Sequence, residues 1–561
     1  MSISWETTAR AKARLATERG AITKDWGGRL PVALVYPNKY YVGMSSLGFQ
    51  IIYALLNEQP DVLCERAFYE GALAAPGETV LSLETQRPLS DFAAIAFSVT
   101  FELDYYNILA TLRDTGLPLL SRERDERHPL IIGGGPCLTA NPEPLAPFFD
   151  AIVVGEAEPV LPGILEVLRA QEDRAPTLLA LSRLPGVYVP SFYEPVYSDD
   201  GRLLGIEAAE GMPPAVSRVW LRDLEQGPGS SVVLTDDTEL ANMYLVEVAR
   251  GCAHGCRFCL AGYCFLPARE RRPESVIAMA GRGLTMTKRI GLVGAAVSDY
   301  SHFEEVLVRL REMGAQVSVS SLRVDSFSEP VARALAESGA RTVTLGLEAG
   351  SQHLRDLVHK GITEEHIARA IDVARDVGFK SAKLYYMIGL PGETDEDVQA
   401  LVGLTRSIAE RLERGRRGAR VVVTLAPFVP KAQTPFQWME MAPALVLKDR
   451  LARIRSALRA RSVDVRTDSV EWAVAEGVLA RGDRRLAPVL AGMDRYSLAA
   501  WNRSLARHDL TPDFYLRRPR EVGEVLPWAA ISTGVRPTAL AKLAWDARRA
   551  LDEQERRSEG A

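Results

Sequence analysis

Short apolar runs alternate with amphipathic stretches over the first third of the chain. Buried-strand patterns occur in LPVALVYPN (30–38), FAAIAFSVT (92–100), HPLIIGGGP (128–136) and FFDAIVVGEAE (148–158), and stretches with helical spacing lie between them. Strands that alternate with helices are typical of a parallel sheet covered on both faces. The pattern therefore predicts a doubly wound, flavodoxin-like α/β domain over residues 30–170.

The same alternation returns in residues 242–447. Strand patterns separated by helical stretches stand in YLVEVAR (244–250), IGLVGA (290–295), QVSVSS (316–321), TVTLGLE (342–348), SAKLYYMIGL (381–390) and RVVVTLAPF (420–428). Six β/α units are too few for a closed eight-stranded barrel. They predict a partial (β/α)6 barrel, whose functional groups lie at the carboxyl ends of its strands.

The remaining segments have weaker patterns. Residues 1–29 predict an N-terminal helical segment, and residues 171–241 predict a connecting segment with short antiparallel strands and a DDG turn. Residues 448–561 predict a helical C-terminal domain. The sequence thus divides into five parts.

Composition places the chain among ordinary globular proteins. It has 561 residues, 47% of them hydrophobic and 25% charged, which suggests two to four domains. The net charge of −5 excludes the basic excess of a whole-chain nucleic-acid binder. We expect no membrane association, because no apolar run of about 18 residues occurs. The charged N-terminus lacks the apolar core of a secretory signal, so we expect a cytoplasmic protein.

Half of the six cysteines form one cluster directly after the first predicted barrel strand. Cys252, Cys256 and Cys259 have the spacing C-x3-C-x2-C. A structural zinc site needs four ligands, and His254 and Cys264 lie nearby. A four-iron cluster held by three cysteines instead leaves one iron open to a small molecule. The position at the end of a barrel strand favours the iron cluster; a zinc-stabilised, non-enzymatic binding protein stays as an alternative.

The cysteine cluster, with Phe258 before its third cysteine, resembles the signature of radical S-adenosylmethionine (SAM) enzymes. The resemblance covers about residues 242–430. It implies a [4Fe-4S] cluster on Cys252, Cys256 and Cys259, whose unique iron chelates SAM. It also implies reductive cleavage of SAM to a 5′-deoxyadenosyl radical, with electrons from a donor such as flavodoxin or ferredoxin.

The resemblance assigns SAM contacts to residues at the next four strand ends. They would receive the SAM amino group, the carboxylate or ribose, the ribose hydroxyls and the adenine in turn. These residues are Gly294, Ala295, Ser298, Ser320, Arg323, Glu348, Gly389, Leu390 and Pro391. The family's GGE-like loop has no glutamate here. The structural alternatives are a simple Arg323–Asp325 pair, a surface position for Glu348 and an ordinary Gly-Leu-Pro-Gly turn.

The N-terminal α/β domain resembles the cobalamin-binding domain upstream of many radical SAM barrels. The resemblance lies in GGGPCLTANPEP (133–144) and FDAIVVGEAEPVLPGIL (149–165). It places in the cofactor cleft Gly134, Pro136, Thr139, Asn141, Gly155 and Glu156. The Asp-x-His-x-x-Gly stretch of well-known cobalamin modules is absent, and His128 precedes a strand. Two alternatives therefore stay open for this domain. It binds cobalamin without a histidine ligand, or it has kept the fold and lost the cofactor.

The function expected from the sequence is that of a radical SAM enzyme of unknown substrate. Further motifs, such as VYPNKYYVGMSSLG and LPWAAISTGV, resemble an uncharacterised branch of these enzymes. Cobalamin-dependent methyl transfer is the main hypothesis. A cobalamin-free enzyme that modifies RNA is the alternative, because the C-terminal region holds the basic stretches KDRLARIRSALRARSVDVR and RGDRR. No catalytic side chain is predicted.

Overall fold

The protein is described by a computed structural model that covers residues 5–71, 79–170, 173–414, 418–459 and 462–559. The chain groups into two compact units, each built from separate stretches. The first unit holds Met1–Met243, Leu479–Thr511 and Gly523–Gly534. The second holds Tyr244–Val478, Pro512–Val522 and Val535–Ala561. Residues 448–561, predicted as one domain, are therefore divided between both units.

A six-stranded sheet forms the centre of the first unit. Its strands are β1 (Leu30–Tyr36), β2 (Val62–Phe68), β3 (Ala94–Ser98), β4 (Leu130–Gly134), β5 (Ala151–Val153) and β6 (Val187–Tyr188). Their order is β2-β1-β3-β4-β5-β6, with β6 antiparallel to β5 and the other neighbours parallel. The first five strands follow the flavodoxin-like order, whose direction reverses between β1 and β3. The predicted doubly wound α/β domain is confirmed.

Strand β2 has no counterpart among the predicted strands. Its sequence, VLCERAF, carries two adjacent charges, Glu65 and Arg66, in a segment that is buried throughout. Arg66 pairs with Glu18 at 2.5 Å and with Glu84 at 2.7 Å, so a buried ion network replaces the apolar side chains expected there. Buried charges require such partners.

Helices cover the faces of this sheet. They are α1 (Trp5–Thr17), α2 (Tyr40–Gly43), α3 (Leu47–Glu58), α4 (Tyr105–Thr115), α5 (Pro136–Ala140), α6 (Leu161–Arg169) and α7 (Arg174–Ser182). The predicted antiparallel pair is present as β7 (Tyr193–Tyr197) and β8 (Leu203–Ala208). Short β9 (Val216–Ser217) pairs with β19 (Ile531–Ser532), and α17 (Leu486–Ala491) and α18 (Leu498–Arg507) complete the unit.

Seven parallel strands form the partial barrel of the second unit. They are β10 (Tyr244–Glu247), β13 (Arg289–Val293), β14 (Gln316–Val319), β15 (Thr342–Glu348), β16 (Ser381–Ile388), β17 (Arg420–Pro427) and β18 (Val463–Thr467). A parallel bridge from Leu322 to Leu345 connects the three-stranded and four-stranded sheets. A short antiparallel pair, β11 (Ala249–Arg250) and β12 (Arg269–Glu270), follows the first strand.

The six predicted barrel strands are all present, and β18 adds a seventh. This strand lies in the region predicted to be helical. Its sequence, VDVRT, contains no fully buried residue, because it pairs with β17 on one side only. Such an edge strand lacks the apolar run that marks the inner strands.

Helices surround the barrel strands. They are α8 (Ala261–Cys264), α9 (Pro273–Leu284), α10 (Phe303–Glu312), α11 (Glu329–Glu337), α12 (Gln352–Leu357), α13 (Glu364–Val377), α14 (Asp395–Glu413), α15 (Ala444–Ala457), α16 (Val470–Arg481), α19 (Pro512–Leu516) and α20 (Pro537–Glu559). Capping boxes at Thr363 and Thr394 begin α13 and α14. Within the described ranges, no helix has the length and apolar character that a membrane span requires.

Candidate functional site

The three clustered cysteines lie on one loop, residues 251–264, which we call the cluster loop. It leaves the barrel after β11 and closes through α8. Gly251 begins it with φ of +83°, and a Cβ added there would lie 2.3 Å from the carbonyl oxygen of Phe265. The two ends of the loop therefore approach so closely that only glycine fits at this position.

The thiols of the cluster loop lie within electrostatic reach of one another. Burial raises the pKa of Cys256 to about 11, and the charge of Cys259 acts in the same direction. Burial also raises the pKa of Cys259, to which Cys252 adds. Over the described ranges, no three Cys, His, Asp or Glu side chains converge as ligands of one ion. Cys264 is fully buried in α8.

The donor set matches an iron–sulfur cluster with three protein ligands. Such a cluster is held by thiolates, each bound to a different iron. Cys252, Cys256 and Cys259 supply three thiols in the first part of the loop, while the neighbouring His254 is hydrogen-bonded to Asp299. The residues therefore fit a [4Fe-4S] cluster with one iron left without a protein ligand.

A second segment, Leu357 to Lys360, holds the cluster loop from outside; we call it the clasp. The backbone N–H of Arg257 donates to the carbonyl of Val358 at 3.0 Å, and its Nη1 donates to the carbonyl of Leu357 at 2.5 Å. His359 Nδ1 lies 3.3 Å from the carbonyl oxygen of Gly255. Both neighbours of Cys256 thus bond to the clasp.

The last residue of the clasp forms an ion pair with a predicted site residue. Lys360 Nζ lies 2.8 Å from Oε1 of Glu348, at the carboxyl end of β15. Glu348 has φ of +65°. The buried Arg355 donates to the carbonyls of Ala349 at 3.1 Å and Gly350 at 2.9 Å, which fixes the turn after Glu348. The roles of Lys360 and Arg355 could not be predicted from the sequence, because GSQHLRDLVHKG (350–361) has only the pattern of an ordinary helix.

Two more predicted residues meet at the ends of β13 and β14. The backbone N–H of Arg323 donates to Ser298 Oγ at 3.1 Å. Its guanidinium forms two hydrogen bonds with Asp325, at 3.1 and 2.8 Å, and lies 3.8 Å from Asp299. Arg323 Nη2 also donates to the carbonyl of Lys360 at 3.2 Å. The Arg323–Asp325 pair, the structural alternative to a SAM contact, is therefore present. The same guanidinium also contacts the clasp at Lys360.

The other predicted SAM-contacting residues differ in exposure. Ala295 and Ser320 are exposed, and Gly294 approaches the carbonyl of Ala249. The backbone N–H of Gly389 donates to a carboxylate oxygen of Glu393 at 2.7 Å. The side chain of Leu390 is packed in an apolar core with Phe428 and Phe436, while Pro391 is half-buried.

The inner face of the barrel is less covered than its outer face. Along β16, Tyr386 is buried and its hydroxyl lies 3.4 Å from that of Thr405 on α14, so this set of side chains points toward the helices. The alternate set is half-buried: Lys383, Tyr385 and Met387. The side chains on this inner face of β16 are thus less buried than those that face the helices.

The predicted cobalamin-cleft residues are mostly engaged by the chain itself. Gly134 and Pro136 are half-buried at the end of β4, but Thr139 Oγ1 accepts from the N–H of Gly155 at 2.9 Å. Asn141 Nδ2 donates to the carbonyls of Ala480 and Gly482 at 3.1 and 2.8 Å, and Glu156 accepts from the N–H of Leu221 at 2.9 Å. Thr139, Asn141 and Glu156 are buried.

The polar residues at the β1/β3 reversal point were assigned no role from the sequence. The hydroxyls of Tyr36 and Thr100 are 2.7 Å apart, and Asn38 Nδ2 donates to Asp104 Oδ1 at 2.7 Å. Burial raises the pKa of Asp104 to about 7. Ligands of open α/β sheets bind at this point. It could not be located from the sequence, because the strand order depends on the unrecognised β2.

Two family descriptions match the chain. "Radical SAM proteins, N-terminal" matches residues 48–190, and "Radical SAM superfamily" matches residues 246–405, which include the cluster loop. The chain belongs to the radical SAM superfamily. The cofactors of this superfamily are SAM and a [4Fe-4S] cluster, as the sequence analysis expected.

Two sequence relatives and one solved structure are similar to this radical SAM protein over half of its length or more. An uncharacterised protein of Methanocaldococcus jannaschii is 29% identical over 461 residues, which cover 82% of this chain and 90% of that one. An uncharacterised methyltransferase of Pyrococcus horikoshii is 25% identical and covers 50% of this chain and 58% of its own. The radical SAM methyltransferase TsrM of Kitasatospora setae, solved with cobalamin and a [4Fe-4S] cluster bound, has a TM-score of 0.50 at 15% identity, covering 86% of this chain and 99% of that one. This likeness shows a common fold.

Proposed function

We propose that this radical SAM protein is an enzyme that cleaves SAM reductively at a [4Fe-4S] cluster held by Cys252, Cys256 and Cys259. The observation that supports this proposal is a set of three closely spaced thiols on a loop at the carboxyl end of the first barrel strand. When bound, the cluster supplies the electron and SAM supplies the organic radical.

The chain's own residues shield and position these groups. The clasp bonds to both neighbours of Cys256, a buried residue, and so holds this side of the loop in place. Ser298, Arg323 and Glu348 provide a hydroxyl, a guanidinium and a carboxylate near the loop for the polar ends of SAM. Arg323 and Glu348 already have partners, Asp325 and Lys360, so SAM would share or exchange these contacts.

Anaerobic reconstitution tests this proposal. The loaded protein should contain about four irons per chain and should form 5′-deoxyadenosine from SAM only with a reductant. Cys252→Ala, Cys256→Ala and Cys259→Ala should each abolish cleavage. Cys264→Ala, in the same loop, should retain the cluster. SAM cleavage by the triple variant, or zinc without iron after anaerobic purification, would contradict the proposal.

For the reaction outcome, we propose methyl transfer assisted by cobalamin. Support comes from the fold shared with TsrM over most of the chain and from the flavodoxin-like strand order of the first unit. The donor set at the reversal point consists of oxygen groups, such as those of Tyr36 and Asp104, while His128 stands before β4 at the opposite, amino edge. A cobalamin at the carboxyl edge would therefore have no imidazole from residues 30–170.

Purification with cobalamin supplied separates the reaction classes. A bound corrinoid would have the optical spectrum of a form without a nitrogen ligand from the protein, and methyl-deuterated SAM would label the product. A loaded, SAM-cleaving enzyme that retains no corrinoid would contradict the methyl-transfer proposal. RNA as substrate, and flavodoxin or ferredoxin as electron donor, stay predictions.

A further inference from the structure

The ion pair of Lys360 and Glu348 lies at the end of the clasp, the segment that holds the part of the cluster loop around Cys256. Cys256 stands between Gly255 and Arg257, and both of these residues bond to the clasp just before Lys360. Lys360 directly follows the clasp residues that bond to both neighbours of Cys256, so its positive charge belongs to the segment that holds this cysteine. The carboxylate of Glu348, 2.8 Å from Lys360 Nζ, places the opposite charge beside the same segment.

This ion pair is held in a fixed, largely buried position. The side chains of Lys360 and Glu348 are 11% and 18% exposed, so solvent and salt screen their charges less than those of surface pairs. The pairing of β15 with β16 shifts in register between Gly346 and Glu348, directly before the carboxylate that binds the lysine. A Cβ added at Gly346 would lie 2.9 Å from Glu348 Oε1 and 3.4 Å from Lys360 Nζ, so this glycine leaves room for the pair.

Arg323, a second cation near the cluster loop, is balanced by more than one carboxylate. Arg323 faces two carboxylates, with hydrogen bonds to Asp325 and a distance of 3.8 Å to Asp299, which is also hydrogen-bonded to His254. Lys360 pairs with the carboxylate of Glu348. The Lys360–Glu348 pair is thus the place where removal of a single charge changes the field at the thiols in a known direction.

We propose that Lys360 and Glu348 together set the reduction potential of the cluster, with Lys360 raising it and Glu348 lowering it. The inference rests on the proposed function, which puts a cluster on these thiols. Reduction adds one negative charge to the cluster. A fixed cation nearby stabilises the reduced state, and a fixed anion destabilises it. Neither residue is proposed to bind iron.

The experiment measures the midpoint potential of the full-length, anaerobically reconstituted protein without SAM, by a reductive titration followed by electron paramagnetic resonance. Lys360→Met removes the cation and should lower the potential. Glu348→Gln removes the anion at nearly constant shape and should raise it. The double variant should return toward wild type. Lys380→Met, an equal charge change before the amino end of β16, is the control and should leave the potential unchanged.

Opposite shifts are the decisive result, because a merely structural role would lower iron content without separating the two variants in potential. Iron per chain is measured for each protein. If Lys360→Met does not load, Glu348→Gln still gives the sign, because it removes only the anion of the pair. Equal potentials, or shifts in one direction, overturn the inference. If the wild type loads a cluster and cleaves SAM but the variants have its midpoint potential, this inference fails and the proposed function stands. If the wild type loads no cluster, the proposed function itself is contradicted.

Discussion

Gly251 shows how one backbone position fixes the geometry of the cluster loop. Its φ is +83°, and a Cβ at this position would lie only 2.3 Å from the carbonyl oxygen of Phe265, which leaves no room for a side chain. We therefore expect Gly251→Ala to lower the free energy of unfolding by about 1–3 kcal/mol, the usual range for such strain, and to reduce iron loading. Chemical denaturation of the metal-free protein and iron analysis after reconstitution measure the two effects.

Gly281→Ala is the matched control. Gly281 lies in α9, where an added Cβ would meet Met313 at 3.5 Å, an ordinary contact. Alanine is favoured over glycine in a helix by about 0.5–1 kcal/mol, so this variant should be neutral or slightly more stable and should load iron normally. Equal stability of the Gly251 and Gly281 variants would show that the loop ends are not in contact.

Asp104 predicts a pH dependence of stability in the first unit. Burial raises its pKa to about 7, far above the value of about 3.9 in an unfolded chain. Between these values the unfolded state has lost the proton and the folded state retains it, so the unfolding free energy falls as pH rises from about 4 to 7. Asp104→Asn removes this loss and keeps an acceptor for Asn38. The variant's advantage in thermal unfolding should therefore grow from pH 5 to pH 7.5; a constant difference would contradict the assignment.

At the scale of elements, the strands with a clear apolar pattern could be predicted from the sequence. The strands that depend on contacts with residues remote in sequence, or that lie at a sheet edge, could not. The six barrel strands have apolar runs and were found, whereas β2 and β18 lack them. Strand β2 contains Arg66, whose partners Glu18 and Glu84 are remote in sequence. The cysteines were found from spacing alone. Lys360 was not, because its importance comes from a contact with Glu348 across a turn, which no local pattern marks.

The turn after β16 is joined to α15 by one buried carboxylate. Glu393 accepts from the N–H of Gly389 at 2.7 Å and from Arg450 at 2.6 Å, and burial raises its pKa to about 7. Glu393→Ala should cost about 1–3 kcal/mol, because a buried donor loses its acceptor. It should also weaken SAM binding if Gly389 adjoins the adenine. Glu393→Gln keeps an acceptor and should do less. Denaturation and calorimetric titration of SAM into the loaded protein measure both effects, and equal losses in the two variants would contradict the role of the acceptor.

At the scale of the whole molecule, several cations of the basic stretches near the C-terminus are paired with carboxylates of the same chain. Lys448 pairs with Glu471 at 2.6 Å, and Arg453 with Asp395 at 2.9 Å. Arg485 pairs with Asp483 at 2.7 Å. Charges compensated by neighbouring carboxylates do not form the basic surface that phosphate binding requires. These pairs offset part of the positive charge of the basic runs, and RNA as substrate stays a prediction.

Arg484 connects residues 479–511 to the sheet of the first unit. It lies 2.9 Å from Glu143 Oε2 and 3.0 Å from the hydroxyl of Tyr188 on β6, and the side chain of Glu143 is only 2% exposed. Removal of one partner of a buried pair costs about 3–5 kcal/mol, because the other charge is left uncompensated. We expect Arg484→Met to destabilise the first unit by this amount, and Glu143→Gln combined with it to recover part of the loss. Arg503→Met, at a side chain 56% exposed, should change stability by less than about 0.5 kcal/mol.

Hydrogen exchange measured by mass spectrometry locates the effect of Arg484→Met. If residues 448–561 formed a separate domain, faster exchange would stay within them. Because residues 479–511 pack in the first unit, we expect faster exchange in peptides of β4, β5 and β6 as well. The cluster loop, in the second unit, should keep its exchange rates and its iron content. Unchanged exchange in the sheet strands would contradict this division of the chain, since Glu143 and Tyr188 could then not depend on Arg484.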